Sequence, residues 1–423
     1  MFSTLRNAWK IPEMRKRIIF TLLMLLVIRL GSSIPVPYMD KEVVKQVFEA
    51  GEGGLLQFLD LISGGTISNF SIFALSIYPY ITSSIIVQLL TVAIPKLEEL
   101  AKEGEEGRKR INLYTRIGAV VLAILQARGT TSLFKNALVA EGFVQNAVVI
   151  ISLVAGTSFL MWVGNLITEK GIGNGISLII FIGIVSGLPS TIIAYTRLAL
   201  LQVVDAFKLI LLAIVVILVV AFVVLLQEGE RRVPVQYAKR VVGRKMYGGQ
   251  STHIPLKVSM SGVIPVIFST SLLAFPQTIA LFFTGNVPEW MIKYLSVQGK
   301  VGVWVYSILN VLLIMFFTYF YTAVQFNTVE YAKNLQQYGG FIPGIRPGRP
   351  TSDYLNKIIT RLTFVGGLSL ALIASMPIIL SHLFKLNIDF GGTAIIIVVG
   401  VVLETVKQLE SEMLMRNYKG FLK

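Results

Sequence analysis

The run Ala206-Phe-Lys-Leu-Ile-Leu-Leu-Ala-Ile-Val-Val-Ile-Leu-Val-Val-Ala-Phe-Val-Val-Leu-Leu-Gln227 contains a single charged residue, Lys208, close to its start. About twenty consecutive apolar residues are enough to cross the hydrocarbon of a bilayer as a helix. A segment inside lipid must satisfy its own backbone hydrogen bonds, and a helix does so. We therefore predict a transmembrane helix here.

Nine further stretches have a comparable length and apolar character. The ten stretches are 18–38, 72–94, 112–130, 143–167, 176–195, 206–227, 258–283, 302–326, 358–382 and 393–410. The chain has 423 residues, of which 54% are hydrophobic and 14% charged. This composition excludes an ordinary soluble domain and a disordered chain. The prediction is an all-α polytopic membrane protein with ten transmembrane helices.

The first stretch follows Arg15-Lys16-Arg17, as the apolar core of a signal peptide would. No small-residue cleavage site is obvious after it, and nine more spans follow. We therefore expect this stretch to be retained as a span.

The basic residues are distributed very unevenly across the predicted spans. Of the 38 Lys and Arg residues, 27 lie on the side of the two termini, 8 lie on the opposite side, and 3 lie within spans. Those three are Arg29, Lys208 and Arg361. Cytoplasmic loops carry an excess of Lys and Arg. We predict that both termini are cytoplasmic.

Several kinds of chemistry find no support in the sequence. The chain has no Cys and two His, His253 and His382, far apart in sequence, so no metal site is expected. It contains neither a His-Glu-x-x-His nor a Walker A motif, and Gly171-Ile-Gly-Asn-Gly175 is better interpreted as a tight turn than as a nucleotide loop. A secondary transporter would be favoured by mid-membrane charges, which the span centres almost lack. A membrane enzyme would need a catalytic constellation, and none is apparent.

Two long basic loops lie on the predicted cytoplasmic side. Loop 228–257 alternates through Val-Pro-Val-Gln-Tyr and turns at Gly243, which predicts a short hairpin. Loop 327–357 is rich in Pro-Gly turns and displays Arg346 and Arg349. Basic loops can reflect topology alone. Two long, structured basic loops in one chain favour a docking surface for an acidic or RNA-bearing partner.

Residues 55–70 are moderately apolar but too short to span a bilayer. The spacing of Leu55, Phe58, Leu59 and Ile62 is helical, and Gly64-Gly65 ends the helix. One interpretation is an amphipathic helix on the surface. The other is a re-entrant plug that enters the protein from outside, since irregular backbone at membrane depth must lie inside protein or beside water.

Motifs along nearly the whole chain resemble the SecY family, the central channel subunit of the bacterial protein translocase. The similarity is carried by Ser71–Thr91 in the second span, Ile167–Ser177 at the start of the fifth, and the loop motifs Tyr237–Arg240, Gln250–Lys257 and Gly344–Gly348. The resemblance implies two pseudo-symmetric five-helix halves around an hourglass pore. Residues 1–170 would hold spans one to four and the plug, and 171–423 the remaining spans with both loops. The symmetric division between spans five and six would fall near 196–205.

The resemblance also implies roles for particular residues. The pore ring would be Ile77, Ile81, Ile180, Ile184, Ile267 and Ile397. The plug would include Phe58, Leu59, Ile62, Gly64 and Gly65. A lateral gate between spans two and seven would carry Gln88, Ser269 and Ser271, and Pro79, Pro265 and Pro276 would weaken the gate helices. Partner docking would use Lys239, Arg240, Arg346 and Arg349.

The function implied by the resemblance is a protein-conducting channel in the bacterial plasma membrane, not an enzyme, with no cofactor. It would translocate secretory polypeptides and release membrane-protein helices into lipid. The partners implied are the small membrane subunits SecE and SecG, the ATPase SecA, the ribosome, unfolded preproteins with their signal sequences, and membrane lipid.

Overall fold

The protein is mostly helical. The computed structural model describes residues 2–50, 60, 63–139, 142–200, 206–237, 240–242, 245–247, 251–284, 288, 294, 302–384 and 392–420. Within these ranges the helices are α1 Phe2–Lys10, α2 Pro12–Gly31, α3 Lys41–Ala50, α4 Tyr78–Ala93, α5 Pro95–Lys102, α6 Glu105–Leu133, α7 Phe143–Lys170, α8 Gly175–Leu200, α9 Ala206–Glu228, α10 Ile264–Thr284, α11 Gly302–Gln325, α12 Thr328–Gln337, α13 Arg349–Phe384 and α14 Gly392–Gly420.

A helix lies over most or all of each of the ten apolar stretches. By length and composition, three helical segments in the described part of the chain could cross a membrane: Phe143–Lys170, Gly302–Gln337 and Arg349–Met376. A fourth is obtained if α4 and α5, which are bent by 101°, count as one span. Shorter apolar helical segments lie at Gly175–Pro189, Ala213–Glu228 and Ile264–Pro276.

The long helices pack mainly against their neighbours in sequence. Helix α6 lies against α4 and α7, and α7 lies against α8; later in the chain α11 lies against α10 and α13, and α13 against α14. Early and late helices meet where α10 contacts α4 and α6, and where α14 contacts α8. An apolar cluster built from α2, α4, α7, α8, α10, α11 and α14 fills the space between these groups.

Two predicted helices begin later than expected. Residues 72–77 form turns, because the N–H of Ile72 donates to the carbonyl of Ile34 and Ser76 has a φ of +50°. Residues 258–263 are likewise non-helical, and the N–H of Val258 donates to the carbonyl of Gly229. Backbone hydrogen bonds therefore join both segments to neighbouring loops, and the helices begin only after them.

Two of the three prolines expected to weaken the gate helices lie at the starts of these helices and not inside them. Pro79 and Pro265 lie in the first turns of α4 and α10, where an N–H would have no intrahelical partner anyway. The expectation that they weaken these helices is therefore wrong. Pro276 lies inside α10, as a residue that removes a hydrogen bond would.

Strands connect the two basic loops. Strand β1 (Glu230–Tyr237) pairs antiparallel with β4 (Ser251–Lys257), and β2 (Arg240–Val242) pairs with β3 (Lys245–Tyr247). The second pairing joins Val242 to Lys245, which confirms the predicted reversal at this point. Strand β5 (Gly340–Phe341), from the other loop, pairs with the end of β1 to give the sheet order β4-β1-β5. The amino-acid sequence alone did not predict that the two loops share a sheet.

This sheet rests on an apolar cluster below it. Val233, Val235, Ile254 and Leu256 alternate inward from the strands and meet Leu335 of α12. Leu355, Ile358 and Ile359 of α13 complete the cluster. Helix α13 continues from this cluster through its apolar segment without interruption, so one element joins the basic loops to the helical body.

The first and last helices lie together. Helix α1 contacts α14, and Arg17 forms an ion pair of 3.1 Å with Glu412. Ala8, Met14, Ile172 and Leu409 form an apolar cluster at the same place. The N-terminal segment, the C-terminal helix and the turn after α7 are therefore on one side of the molecule.

Candidate functional site

Isoleucines from four helices meet in one apolar cluster. Helices α4, α8 and α14 contribute buried side chains, and α10 contributes one that is partly buried. In the order of the chain they are Ile77, Ile81, Ile180, Ile184, Ile267 and Ile397. All six residues predicted for the pore ring therefore belong to one apolar cluster, although they come from segments far apart in sequence.

The start of α4 places its two isoleucines on one face. Ile77 precedes the helix, and its carbonyl accepts the N–H of Ile81 at 3.1 Å. Residues four apart in a helix lie on the same side, one turn apart. Both side chains are less than a tenth exposed, and they enter the same cluster.

The turn before α8 is built by short-range hydrogen bonds. The Asn174 side-chain oxygen accepts the N–H groups of Ile176 and Ser177 at 3.1 and 3.3 Å, as an N-cap does. Gly173 has a φ of +86°, which favours glycine. The N–H of Gly175 donates to Thr168. The interpretation of this glycine-rich motif as a tight turn is confirmed, and the turn sets the start of the helix that carries Ile180 and Ile184.

Part of the predicted plug lies against α8. Phe58, Leu59 and Ile62 are outside the described residues, whereas Gly64 and Gly65 are within them. A Cβ on Gly64 would come within 2.7 Å of the Gly183 carbonyl and 2.6 Å of the Ser186 hydroxyl. Gly64 therefore sits directly on the helix turn next to Ile184.

The described residues around Gly64 hold one another in place. One carboxylate oxygen of Asp60 accepts the N–H groups of Ile67 and Ser68 at 2.8 and 3.0 Å. Burial raises the pKa of the Asp60 carboxyl above its ordinary value, although these hydrogen bonds act in the opposite direction. From α2, the guanidinium of Arg29 donates to the Gly64 carbonyl at 3.1 Å.

Helices α4 and α10 are joined by a hydrogen bond at the predicted lateral gate. The Tyr78 hydroxyl donates to the carbonyl of Ser271 at 3.1 Å. Ser269 faces α11 instead, where its hydroxyl donates to the Asn310 side-chain oxygen at 2.7 Å. Gln88 lies further along α4 and is half-buried.

The residues predicted for docking are only partly within the described chain. Arg346 and Arg349 are exposed, and the Thr351 hydroxyl donates to the Arg346 carbonyl at 2.9 Å, which holds the turn before α13. The Arg240 backbone begins β2, paired with Tyr247. Lys239 lies outside the described residues.

Among the residues that the structure describes, no three His, Asp or Glu side chains lie close enough together to hold a metal ion. His253 is exposed on β4.

Three polar residues at the site were missed by the sequence analysis: Arg29, Tyr78 and Asn310. Each interrupts an apolar stretch, and a polar or charged group in such a stretch requires a hydrogen-bond partner. That requirement was the available signal. The identity of each partner was not available from sequence, because all three partners are distant along the chain.

Comparison with known proteins gives a consistent result. The SecY family model matches residues 71–406. The chain is 46% identical over 444 residues to the protein translocase subunit SecY of Halalkalibacterium halodurans, covering 100% of both chains. It is 43% identical over 434 residues to SecY of Thermotoga maritima, covering 100% of this chain and 98% of the relative.

Solved channel structures have the same fold. A protein-conducting channel aligns with a TM-score of 0.69 at 21% identity, covering 94% of this chain and 92% of the other. Sec61 in the canine ribosome-channel complex from the endoplasmic reticulum aligns with a TM-score of 0.66 at 19% identity, with the same coverage. Since the family model and the curated relatives cover most or all of the sequence, this chain belongs to the SecY family of protein translocase subunits.

Proposed function

We propose that this chain is the channel through which secretory polypeptides cross the bacterial plasma membrane, and from which membrane-protein helices move sideways into lipid. The observation that carries the proposal is the convergence of Ile77, Ile184, Ile267 and Ile397 from four helices in a SecY-family chain. In this proposal ten spans form two symmetric halves, divided near residues 196–205, around an hourglass pore.

The six isoleucines form the narrow waist of that pore. A narrow apolar constriction excludes water and so blocks ions. Branched aliphatic side chains offer a passing polypeptide no hydrogen bond and no charge. The ring therefore seals around side chains of different size, and selection of substrates takes place elsewhere.

Residues 55–70 close the resting pore from the outer side. The contact between Gly64 and α8 supports this role, because it lies beside the waist residue Ile184. A solved SecY structure concerns a plug domain that stabilises the closed state of that channel. The chain aligns with it at a TM-score of 0.67 and 20% identity.

Selection of substrates takes place between α4 and α10. The Tyr78–Ser271 hydrogen bond crosses this boundary, and interhelical hydrogen bonds in membranes contribute only about 0.6–2 kcal/mol. A hydrophobic signal helix that inserts here offsets so small a loss. Gln88, Ser269 and Ser271 line the helices concerned, and Ser269 holds α10 to α11.

Both termini face the cytoplasm. The contact of α1 with α14 and the Arg17–Glu412 ion pair support a common side for the two ends. The excess of Lys and Arg in the loops on that side assigns it to the cytoplasm.

The energy for translocation comes from cytoplasmic partners. Lys239, Arg240, Arg346 and Arg349 form the docking surface for SecA or for the ribosome, and SecE and SecG complete the membrane complex. The exposure of Arg346 and Arg349 and the sheet that joins the two loops support a single basic surface. Two of the related channel structures are described as ribosome complexes.

The decisive experiment is reconstitution. The purified chain with its small subunits is placed in vesicles, and an energised motor with a preprotein is added outside. We expect protease-protected preprotein only when the signal sequence is functional. Equal protection with a defective signal, or none with either substrate in a correctly folded complex, would overturn the proposal.

A further inference from the structure

Arg29 reaches from α2 to the plug segment. It lies close to the end of that helix, and its guanidinium donates to the carbonyl of Gly64 at 3.1 Å. A second, longer contact of 3.4 Å reaches the Ser32 hydroxyl of its own turn. Hydrogen bonds from a charged donor are stronger than those between neutral groups. Arg29 thus makes a strong contact to the peptide group of a residue 35 positions later.

Gly64 is also held by its contact with α8. Gly64 has a φ of +74°, and the space that a Cβ would need is already filled by Gly183 and Ser186 of α8. The backbone at Gly64 therefore lies between the guanidinium of α2 and the waist helix α8. Movement of the plug away from α8 must break the Arg29 contact, because α2 and α8 are themselves packed together.

We propose that Arg29 is a positioning residue that holds the plug segment on the waist in the resting channel. The inference rests on the proposed function and adds to it a residue that sets how readily the plug leaves. Arg29 is exposed, so its guanidinium exchanges the Gly64 carbonyl for water when the plug moves. The contact is strong enough to favour the resting position and weak enough to be reversible.

The test uses a reporter for the plug position that does not depend on export. The chain has no cysteine, so Ser186→Cys introduces a single thiol beneath Gly64. A water-soluble maleimide added from the outer side labels this thiol when the plug has moved. Resting ion conductance in planar bilayers is the second measurement, and signal-dependent export by the unsubstituted chain is the check on the proposed function.

Arg29→Met in the Ser186→Cys parent should increase the labelling rate about three- to tenfold, as expected for loss of a partly exposed charged hydrogen bond. Resting conductance should rise with it. Arg29→Lys, which keeps a charged donor, should restore at least half of the lost protection. Arg128→Met is the matched control, since Arg128 is exposed near the outer end of α6, and it should leave both measurements unchanged.

Three results would overturn the inference: unchanged labelling in Arg29→Met, an equal increase in Arg128→Met, or no recovery in Arg29→Lys. If the unsubstituted chain itself fails to export a preprotein, the proposed function fails instead. The labelling rates still decide the role of Arg29, because they are measured without a substrate.

Discussion

Single side chains at the waist differ in what surrounds them, even within one helix. On α14, Ile397 is 3% exposed and lies in the apolar cluster, whereas Val402, a little more than one turn later, is 37% exposed. The proposed role in the pore belongs to the first and not to the second. This pair therefore separates a pore residue from a peripheral one.

Ile397→Asn should make the resting channel leak. The amide offers water a partner in the dry waist, and an unpaired buried polar group costs the closed state about 1–3 kcal/mol. We expect roughly a tenfold rise in resting conductance and export of preproteins with defective signals. Planar-bilayer recordings of Ile397→Asn and Val402→Asn test this, and equal conductance in the two variants would remove Ile397 from the pore.

The hydrogen bond between Ser269 and Asn310 should stabilise the contact of α10 with α11. Ser269→Ala leaves the buried Asn310 amide without this partner, and we expect a loss of about 0.6–2 kcal/mol in unfolding free energy. Ser269→Ala combined with Asn310→Leu should recover most of the loss, because both polar groups are then gone.

Thermal unfolding in lipid nanodiscs measures these differences. Ser158→Ala is the control, since its hydroxyl donates only within its own helix, to the Val154 carbonyl. A double variant that is as unstable as Ser269→Ala would show that packing, and not the hydrogen bond, holds the two helices.

At the scale of elements, the apolar stretches located the helices but not all of their ends. The second stretch was predicted from residue 72, and the helix begins at Tyr78; the seventh was predicted from 258, and the helix begins at Ile264. Hydropathy depends on the side chains alone. The start of a helix also depends on the backbone, because N–H groups that already donate to another part of the chain are not available to the helix. Ile72 and Val258 bond to Ile34 and Gly229, and no local pattern reveals such partners.

Two adjacent glycines in the plug segment allow a controlled test of its contact with α8. Both have a positive φ, so an added methyl group strains both backbones in a similar way. Only at Gly64 does a Cβ also collide with Gly183; at Gly65 the nearest atom is 3.9 Å away. Gly64→Ala should therefore raise resting conductance well above that of Gly65→Ala. Equal conductance would mean that backbone strain alone displaces the segment.

The Asp60 carboxyl should make the resting position of the plug depend on pH. Its pKa is raised mainly by burial, whereas a displaced, hydrated segment has the ordinary value of about 3.9. The docked state therefore binds the proton more tightly, so docking strengthens as pH falls toward the raised pKa and weakens as pH rises through it. We expect lower resting conductance at about pH 5 than at about pH 8.

Asp60→Asn removes the titrating group and should abolish this dependence. Asp40→Asn is the control, since Asp40 is an exposed residue that caps the start of α3. A pH dependence that persists in Asp60→Asn would assign it to another group.

At the scale of the whole molecule, the sequence predicted groups of neighbouring residues better than it predicted the strands and hydrogen bonds that join them. The six isoleucines belong to one apolar cluster, and their role as a pore ring stays a prediction. The sheet that joins loops 228–257 and 327–357 was not predicted, because β5 has two residues and no alternating pattern of its own. Ser269 was placed on the gate, yet its bond goes to α11, a choice that only the packing of three helices decides.

The basic surface formed by the joined loops leads to a prediction about partner docking. Arg346→Glu should weaken motor or ribosome binding and reduce export, while thermal stability stays unchanged because the side chain is exposed. Loss of a charged contact costs several kcal/mol of binding free energy if the contact is desolvated at the interface, and much less if it lies at the rim. Arg110→Glu, an exposed change in α6 outside the two basic loops, is the control. Unchanged partner affinity for Arg346→Glu would remove it from the docking surface.

The order of synthesis gives the three-stranded sheet a further consequence. The chain emerges from its N-terminus, so β1 and β4 are complete long before Gly340 and Phe341 exist. Until β5 has been made, the sheet does not join the two basic loops, and the apolar cluster beneath the sheet still lacks Leu355 and Ile358 of α13. An unfinished chain therefore lacks the complete basic surface that the two loops form together. In the proposed docking role, the complete surface is therefore available only after most of the chain has been made.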